Sequence, residues 1–189
     1  MIITLAESYK SCSFYLNTNA DWRGQIYTQS FYLTYQGSDI NTALLEYSEG
    51  QYLTKDGLTS LYIYGASLYG LDKLNFEKRI NWVLDNMEKI ITMNIDFILK
   101  ASSPFTFASF CLVLKQISQN SKTIVKIPVF LDATCNGIQH ISAIIQDIDL
   151  AKEVNLLYDD KDDQIKDFYG KMIPIINNSL YDLGHTKLV

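Results

Sequence analysis

The chain has 189 residues, of which 48% are hydrophobic and 20% are charged, and its formal net charge is −5. This composition supplies the core of one globular domain and excludes wholesale disorder. The acidic balance excludes a protein that binds nucleic acid through bulk positive charge, but it leaves room for a local basic groove.

The predicted elements, in chain order, are many helices and little strand. The aromatic and β-branched stretches 26–35 and 124–131 favour extended backbone, and Pro128 makes the second one an edge or irregular strand. Apolar residues at helical spacing predict helices over 41–47, 58–70, 75–97, 105–117, 137–148 and 162–176. We therefore predict an α+β fold that is mainly helical.

Two of these helices should carry much of the core. The helix over 105–117 is apolar almost all round, which is typical of a buried helix, and Pro104 fits its first turn. The stretch 75–97 is the most periodic and predicts one long helix with an apolar stripe. That stripe consists of Phe76, Ile80, Val83, Leu84, Met87, Ile90 and Ile91.

The stretch that most suggests chemistry runs from Asp132 to His140, with the sequence Asp-Ala-Thr-Cys-Asn-Gly-Ile-Gln-His. An apolar strand that ends in an aspartate places a carboxylate at the exposed end of a rigid element. Mg²⁺ is held in such places by few protein ligands, and the carbonyl of Ala133 is a candidate second ligand. The alternatives are that Asp132 caps a helix or ends a strand in solvent, and that His140 is a half-buried, hydrogen-bonded histidine.

The turn Asp21-Trp22-Arg23-Gly24 is the second candidate site. An arginine beside a glycine lets the guanidinium group and the backbone both approach a phosphate. A surface turn closed by an Arg–Asp ion pair explains the same residues without any ligand.

Five stretches, in order along the chain, resemble the bacteriophage-type single-subunit DNA-directed RNA polymerases, the family that includes the mitochondrial enzymes. The stretches are 21–27, 36–45, 71–80, 103–111 and 132–156. The first is similar to an Asp-x-Arg-Gly-Arg-x-Tyr segment of that family, and the last is similar to motif A of the polymerase palm. A single match of this kind would be weak, but five collinear matches identify the chain as a member of the family.

The resemblance implies a role for individual residues. Asp132 matches the palm aspartate that ligates both catalytic Mg²⁺ ions, and Ala133 matches a residue whose backbone carbonyl contacts metal. The residues matched to nucleic-acid contacts are Asp21, Arg23, Gly24, Tyr27, Gly137, Gln139 and His140. The implied reaction is template-directed nucleotidyl transfer by a two-metal mechanism, in which the RNA 3′-hydroxyl attacks the α-phosphate of a nucleoside triphosphate.

The implied partners are a DNA template, an RNA transcript and nucleoside triphosphates, and the implied process is transcription in the mitochondrion. No membrane contact is expected, because the apolar runs are far shorter than the roughly 20 residues that span a bilayer. Three departures weaken the electrostatic attraction to nucleic acid. Gln25 replaces the second arginine of the first stretch, Thr42 stands where relatives often carry Lys or Arg, and Gln146 stands where they often carry Arg.

Two parts of the family pattern are not found in the sequence. These are the second palm aspartate, in a His-Asp-Ser motif, and the Arg-x-x-x-Lys helix that binds the incoming triphosphate. We therefore expect residues 1–189 to form a single partial domain, a central palm region with motif A at the end of a short strand. It should need the missing C-terminal polymerase region and be inactive alone. The alternatives are a catalytically dead polymerase remnant or nucleic-acid-binding module, and an unrelated helical interaction protein.

Overall fold

The computed structural model describes residues 1–22, 24–131, 135–157 and 165–182. Within them the fold is mixed α and β and mostly helical, as predicted. The helices are α1 (Ile2–Tyr9), α2 (Asp39–Ala43), α3 (Lys55–Tyr69), α4 (Phe76–Asp85), α5 (Met87–Ile91), α6 (Ile95–Ile98), α7 (Pro104–Gln119), α8 (Asn136–Ile145), α9 (Ile148–Glu153) and α10 (Phe168–Asp182). The strands are β1 (Thr18–Ala20), β2 (Ile26–Thr28), β3 (Gln51–Tyr52) and β4 (Ile124–Val125).

The chain forms two compact units. The first comprises residues 1–72 and 76–129, and the second comprises 73–75 and 130–189. Both sheets belong to the first unit and are antiparallel pairs, β1 with β2 and β3 with β4. In the part of the chain that is described, no helix is long and apolar enough to cross a membrane. This architecture does not test two of the predictions. That the chain forms part of a polymerase palm, and that residues 1–189 form a single partial domain, both remain predictions.

The core of the first unit lies between α3, α4 and α7. Phe107, Phe110 and Cys111 of α7 are fully buried. A Cβ added at Gly65 would lie 2.1 Å from Cζ of Phe110, so the glycine lets α3 approach the Phe110 ring. Tyr69 stands among the aromatic rings of this core, with ring centroids between 4.5 and 5.3 Å from those of Trp82, Phe97 and Phe107. The helix predicted to be buried, α7, therefore buries one side in this core, whereas its Leu112 is 49% exposed.

The prediction of one long helix over 75–97 is wrong, because the stretch divides into α4, α5 and α6. The backbone of Met93 has a φ of 56°, which ends the run, and the side chain of Asn94 caps α6 by accepting from the Phe97 amide at 2.9 Å. The predicted stripe is correct at Val83 and Ile90, which are fully buried, but Phe76 is 60% exposed.

The prediction of an extended strand over 124–131 is also wrong in its length. Only Ile124 and Val125 are paired, with Tyr52 and Gln51. Pro128 has no N–H with which to continue a ladder, so the strand expected to carry motif A stops well before Leu131. The extended stretch predicted over 26–35 is similarly reduced to β2.

Candidate nucleic-acid interface

The turn at 21–25 closes a hairpin between β1 and β2. Asp21 holds it with three hydrogen bonds. Its amide donates to the Gln25 carbonyl at 2.9 Å, its carbonyl accepts from the Gly24 amide at 3.0 Å, and its carboxylate accepts from the Gln25 amide at 3.0 Å. The turn predicted from the sequence is therefore confirmed. Arg23 lies outside the described residues, so the expected Arg–Asp pair stays a prediction.

The hairpin presents two of the predicted contact residues in a fixed geometry. Gly24 has a φ of 80°, a conformation that other residues adopt only with strain. The hydroxyl of Tyr27 donates to the side-chain carbonyl of Gln25 at 2.6 Å. The residue that replaces the family's second arginine thus serves as an acceptor for a neighbouring side chain.

Gln36 binds the outer edge of β2 with its side-chain amide. Its Oε1 accepts from the Thr28 amide at 2.7 Å, and its Nε2 donates to the Ile26 carbonyl at 2.7 Å. This pair of bonds copies the pairing that a neighbouring strand would make. The two backbone groups flank Tyr27, which also lies on β2.

Asp39 caps α7 from a distant part of the chain. Its carboxylate accepts from the amides of Phe105 at 2.7 Å and Thr106 at 2.9 Å, and it also contacts the Thr106 hydroxyl. Because Pro104 has no N–H, these are the first two amides that the helix offers. Within the described residues, the side chain of Ser103, the local N-cap position, makes no capping bond. The negative charge of Asp39 therefore complements the start of α7.

Thr42 also takes part in the contact between α2 and the start of α7. Its hydroxyl donates to the Asp39 carbonyl at 2.9 Å and lies 3.4 Å from the Thr106 hydroxyl. A lysine or arginine at this half-buried position would displace that arrangement. Thr42, at a position where the resemblance implies a lysine or arginine, thus makes a polar contact between α2 and α7.

In the second unit, α8 carries three predicted contact residues. Gly137 lies in its first turn, and a Cβ added there would meet no described atom within 4 Å. His140 is exposed, which excludes the half-buried histidine considered above. Gln139 is half-buried, and its Nε2 donates to the Val154 carbonyl at 2.7 Å. Gln139 therefore connects α8 to the end of α9.

The helix predicted over 137–148 is shorter than expected, because it ends at Ile145. Gln146 follows in the left-handed conformation with a φ of 57°, which terminates α8. Asp147 then caps α9 by accepting from the Leu150 amide at 3.0 Å. Two short helices thus replace the single helix predicted after motif A.

A carboxylate on α9 anchors the segment that leads into α10. Glu153 pairs with Lys166 at 3.3 Å and with Lys171 at 2.5 Å. The hydrogen bond from Lys171 is the largest cause of a lowered pKa of Glu153, which burial partly opposes, and Lys166 lowers this pKa further. The side-chain amide of Asn155 binds both the amide and the carbonyl of Lys166, at 2.8 and 2.9 Å.

The residues predicted to hold metal, Asp132 and Ala133, lie outside the described residues. Among those that are described, no three His, Cys, Asp or Glu side chains cluster as metal ligands would. A carboxylate and a backbone carbonyl are both hard oxygen donors, and this donor type fits Mg²⁺.

Comparison with known proteins identifies the family. The family described as DNA-dependent RNA polymerase matches residues 51–186. The chain belongs to this family. A probable DNA-directed RNA polymerase of Gelasinospora sp. (strain G114) is 46% identical over 190 residues, which cover 98% of this chain and 23% of the relative. The predicted membership of this polymerase family is therefore confirmed.

More distant relatives include phage and mitochondrial enzymes. T7 RNA polymerase of Escherichia phage T7 is 32% identical over 86% of this chain and 19% of its own length. The mitochondrial DNA-directed RNA polymerase of Schizosaccharomyces pombe is 31% identical over 94% of this chain and 16% of its own length. The chain thus spans less than a quarter of each of these relatives.

In this member of the polymerase family, the fold brings some of the predicted contact residues together on one element. It also gives a structural role to residues for which no role was predicted. Asp21, Gly24 and Tyr27 share one hairpin of the first unit, and Gly137, Gln139 and His140 share α8 of the second unit. Gln36 and Asp39 both lie in the stretch 36–45 that resembles the family, but the resemblance gives neither side chain a role. Pro104, followed by a helix with no local capping bond, is the signal that points to a distant cap.

Proposed function

We propose that the chain is part of a single-subunit DNA-directed RNA polymerase and that it supplies one metal-binding carboxylate and part of the surface for template and RNA. The observation that carries the proposal is the 46% identity to a probable polymerase along 98% of the chain. The reaction is attack of the RNA 3′-hydroxyl on the α-phosphate of a nucleoside triphosphate, with pyrophosphate as the leaving group.

Asp132 and the backbone carbonyl of Ala133 would hold Mg²⁺. When bound, this ion supplies positive charge at the attacking oxygen and at the reacting phosphate. One carboxylate is a small share of the negative charge that a site for two such ions needs. A second carboxylate would come from the part of such a polymerase that lies outside the matched segment, so residues 1–189 would not catalyse the reaction by themselves in this proposal.

Each unit would supply its own region of nucleic-acid contact, the hairpin β1–β2 in the first unit and the first turns of α8 in the second unit. Arg23 is the charged group of the hairpin and would contact a phosphate, while Gly24 and Gly137 let backbone approach closely. Tyr27 and His140 are exposed and can contact a sugar or a base. Asp21 and Gln139 would act through the backbone that they hold.

The proposed process is mitochondrial transcription. The relatedness to the mitochondrial polymerase of Schizosaccharomyces pombe supports this location. The scarcity of arginine, with only Arg23 and Arg79 in the chain, is typical of coding sequence rich in A and T, as in many organelle genomes.

A chimaera tests the proposal. The matching segment of the Gelasinospora polymerase is replaced by this chain, and extension of an RNA primer on a DNA template is measured with Mg²⁺. We expect extension by the chimaera and loss of extension in Asp132→Asn. Asp149→Asn is the matched control, since Asp149 is an exposed aspartate of α9. Equal extension by Asp132→Asn and the parent would disprove the metal assignment.

A catalytically dead remnant that only binds nucleic acid is the second candidate. The neutral Gln25, hydrogen-bonded to Tyr27 where relatives carry arginine, favours it. A chimaera that binds an RNA–DNA hybrid but does not extend it would establish this alternative.

A further inference from the structure

Gln36 and Asp39 connect the hairpin to the core of the first unit. They are three residues apart and bind in different directions, Gln36 to strand β2 and Asp39 to the start of α7. The chain between them is tightly packed, because a Cβ at Gly37 would lie 2.7 Å from Cβ of Asn41. Movement of the loop is therefore restricted at both ends.

We infer that Gln36 and Asp39 are positioning residues, which set the placement of Tyr27 and the hairpin turn for contact with an RNA–DNA hybrid. This inference rests on the proposed function, since it concerns the same nucleic-acid surface. Gln36 and Asp39 would set the position of Tyr27 and the hairpin turn without themselves contacting the RNA–DNA hybrid.

The geometry at Tyr27 supports this role for Gln36. The side-chain amide binds the carbonyl of the residue before Tyr27 and the amide of the residue after it, each at 2.7 Å. Two bonds on opposite sides of one residue fix the peptide planes on both sides of it, and with them the direction of its side chain. On its other edge β2 pairs with β1, where Tyr27 faces Asn19.

The geometry at α7 supports the role of Asp39. The amides of Phe105 and Thr106 belong to a helix whose next turns are fully buried at Phe107 and Phe110. A loop attached to such a helix takes its position from the core. Gln36 then transmits that position to β2, whose own residues are exposed or half-buried.

Gln36→Met tests the Gln36 contact, because methionine has a similar length but neither donates nor accepts here. Gln116→Met on α7 is the matched control, since Gln116 is also exposed. Two readouts are needed: the hydrogen-exchange rate of the Thr28 amide, and the Kd with which the Gelasinospora chimaera that carries this chain binds a short RNA–DNA hybrid. We expect both to rise roughly tenfold in Gln36→Met and to stay unchanged in Gln116→Met.

Replacement of Asp39 tests the inference, because electrostatics and positioning predict changes of opposite sign in the Kd for the hybrid. Removing a negative charge near nucleic acid should strengthen binding, but loss of the cap should weaken it. We expect Asp39→Ala to raise the Kd several-fold. Asp39→Asn should raise the Kd less than Asp39→Ala does, because the single asparagine oxygen can still accept from one of the two amides.

The outcomes separate this inference from the proposed function. If the parent chimaera does not bind the hybrid, the proposed surface is wrong and the inference falls with it. If the parent binds and Gln36→Met speeds exchange at Thr28 without raising the Kd, only the inference is wrong. If Gln36→Met speeds exchange equally at Thr28 and at buried Leu114, it unfolds the whole unit and the positioning role is disproved.

Discussion

The guanidinium group of Arg79 donates from Nη1 to the hydroxyl oxygen of Ser67 at 3.1 Å, and this bond joins α4 to α3. Nη2 donates to the Asp72 carbonyl, and the group lies 5.4 Å from the centroid of the Phe76 ring. Only 5% of Arg79 is exposed. Burial lowers the pKa of Arg79, and the charge of Asp72 partly offsets that effect. One of the two arginines of this acidic chain thus stabilises the fold.

Replacement of Arg79 by methionine should lower the free energy of unfolding by about 2 kcal/mol, since it leaves the Asp72 carbonyl without this donor. Arg79→Lys should cost less, because an ammonium group can reach one of the two acceptors. Urea denaturation measures both variants. Lys122→Met, at an exposed loop residue, is the control and should change stability by less than about 0.5 kcal/mol. Equal stability of Arg79→Met and the parent would contradict the prediction.

Gly65→Ala should destabilise the first unit by about 2–3 kcal/mol. The added Cβ would lie 2.1 Å from Cζ of Phe110, and that ring is fully buried and cannot move into solvent. Thermal or urea denaturation measures the loss. Phe110→Leu in the same chain should restore part of it, because a smaller side chain leaves room for the methyl group. No rescue would mean that another contact limits the approach of α3 to α7.

Gly137→Ala should affect the stability of the protein and its affinity for an RNA–DNA hybrid differently. Open space surrounds the position, and alanine favours a helix by about 0.5–1 kcal/mol over glycine, so the variant should be as stable as the parent or more so. If nucleic acid approaches the backbone here, the methyl group should nevertheless raise the Kd for an RNA–DNA hybrid several-fold. A Kd equal to that of the parent would remove Gly137 from the proposed surface.

The sequence predicted those elements whose ends carry local signals. Thr54 caps α3 through the Gly57 amide at 3.1 Å, Gly70 ends it with a φ of 108°, and Pro104 begins α7. These features depend on residues within one turn of each other, which a single sequence displays directly.

The elements that the sequence predicted wrongly depend on distant contacts. The stretch 75–97 has one continuous period but breaks at Asn86, between α4 and α5, and at Met93, between α5 and α6, and periodicity encodes neither break. Arg79 is buried because Ser67 and Asp72 accept from it, although its charge predicts exposure. Asp39 caps a helix 66 residues further along the chain, and a local pattern cannot identify that partner.

Arg23→Gln should reduce the salt dependence of hybrid binding. Each phosphate contact by a cation adds about 0.7–0.9 to the magnitude of the slope of log K against log salt concentration. Loss of the proposed Arg23 contact should therefore flatten the slope by nearly one and weaken binding most at low salt. Lys122→Gln is the control for a cation outside the surface. An unchanged slope in Arg23→Gln would show that this arginine does not contact a phosphate.

The carboxylate of Glu153 should make the second unit sensitive to acid. Its pKa is lowered from an ordinary value of 4.5, first by the hydrogen bond from Lys171, so folding favours the charged form. A group of this kind stabilises the fold above its unfolded pKa, and the stabilisation disappears as the pH falls through the lowered folded pKa. Glu153→Gln should therefore be less stable than the parent near neutral pH and equally stable well below pH 4.5.

Hydrogen exchange of the α9 and α10 amides, compared between parent and Glu153→Gln at neutral and acid pH, measures this effect. The side chain of Glu153 is 37% exposed, so solvent screens the pair and the difference should be small and should shrink further in high salt. Glu46→Gln, at an exposed glutamate of the first unit, should show no difference at any pH. A difference between Glu153→Gln and the parent that persists in acid would mean that the glutamate acts through packing, because charge pairing with Lys166 and Lys171 is lost there.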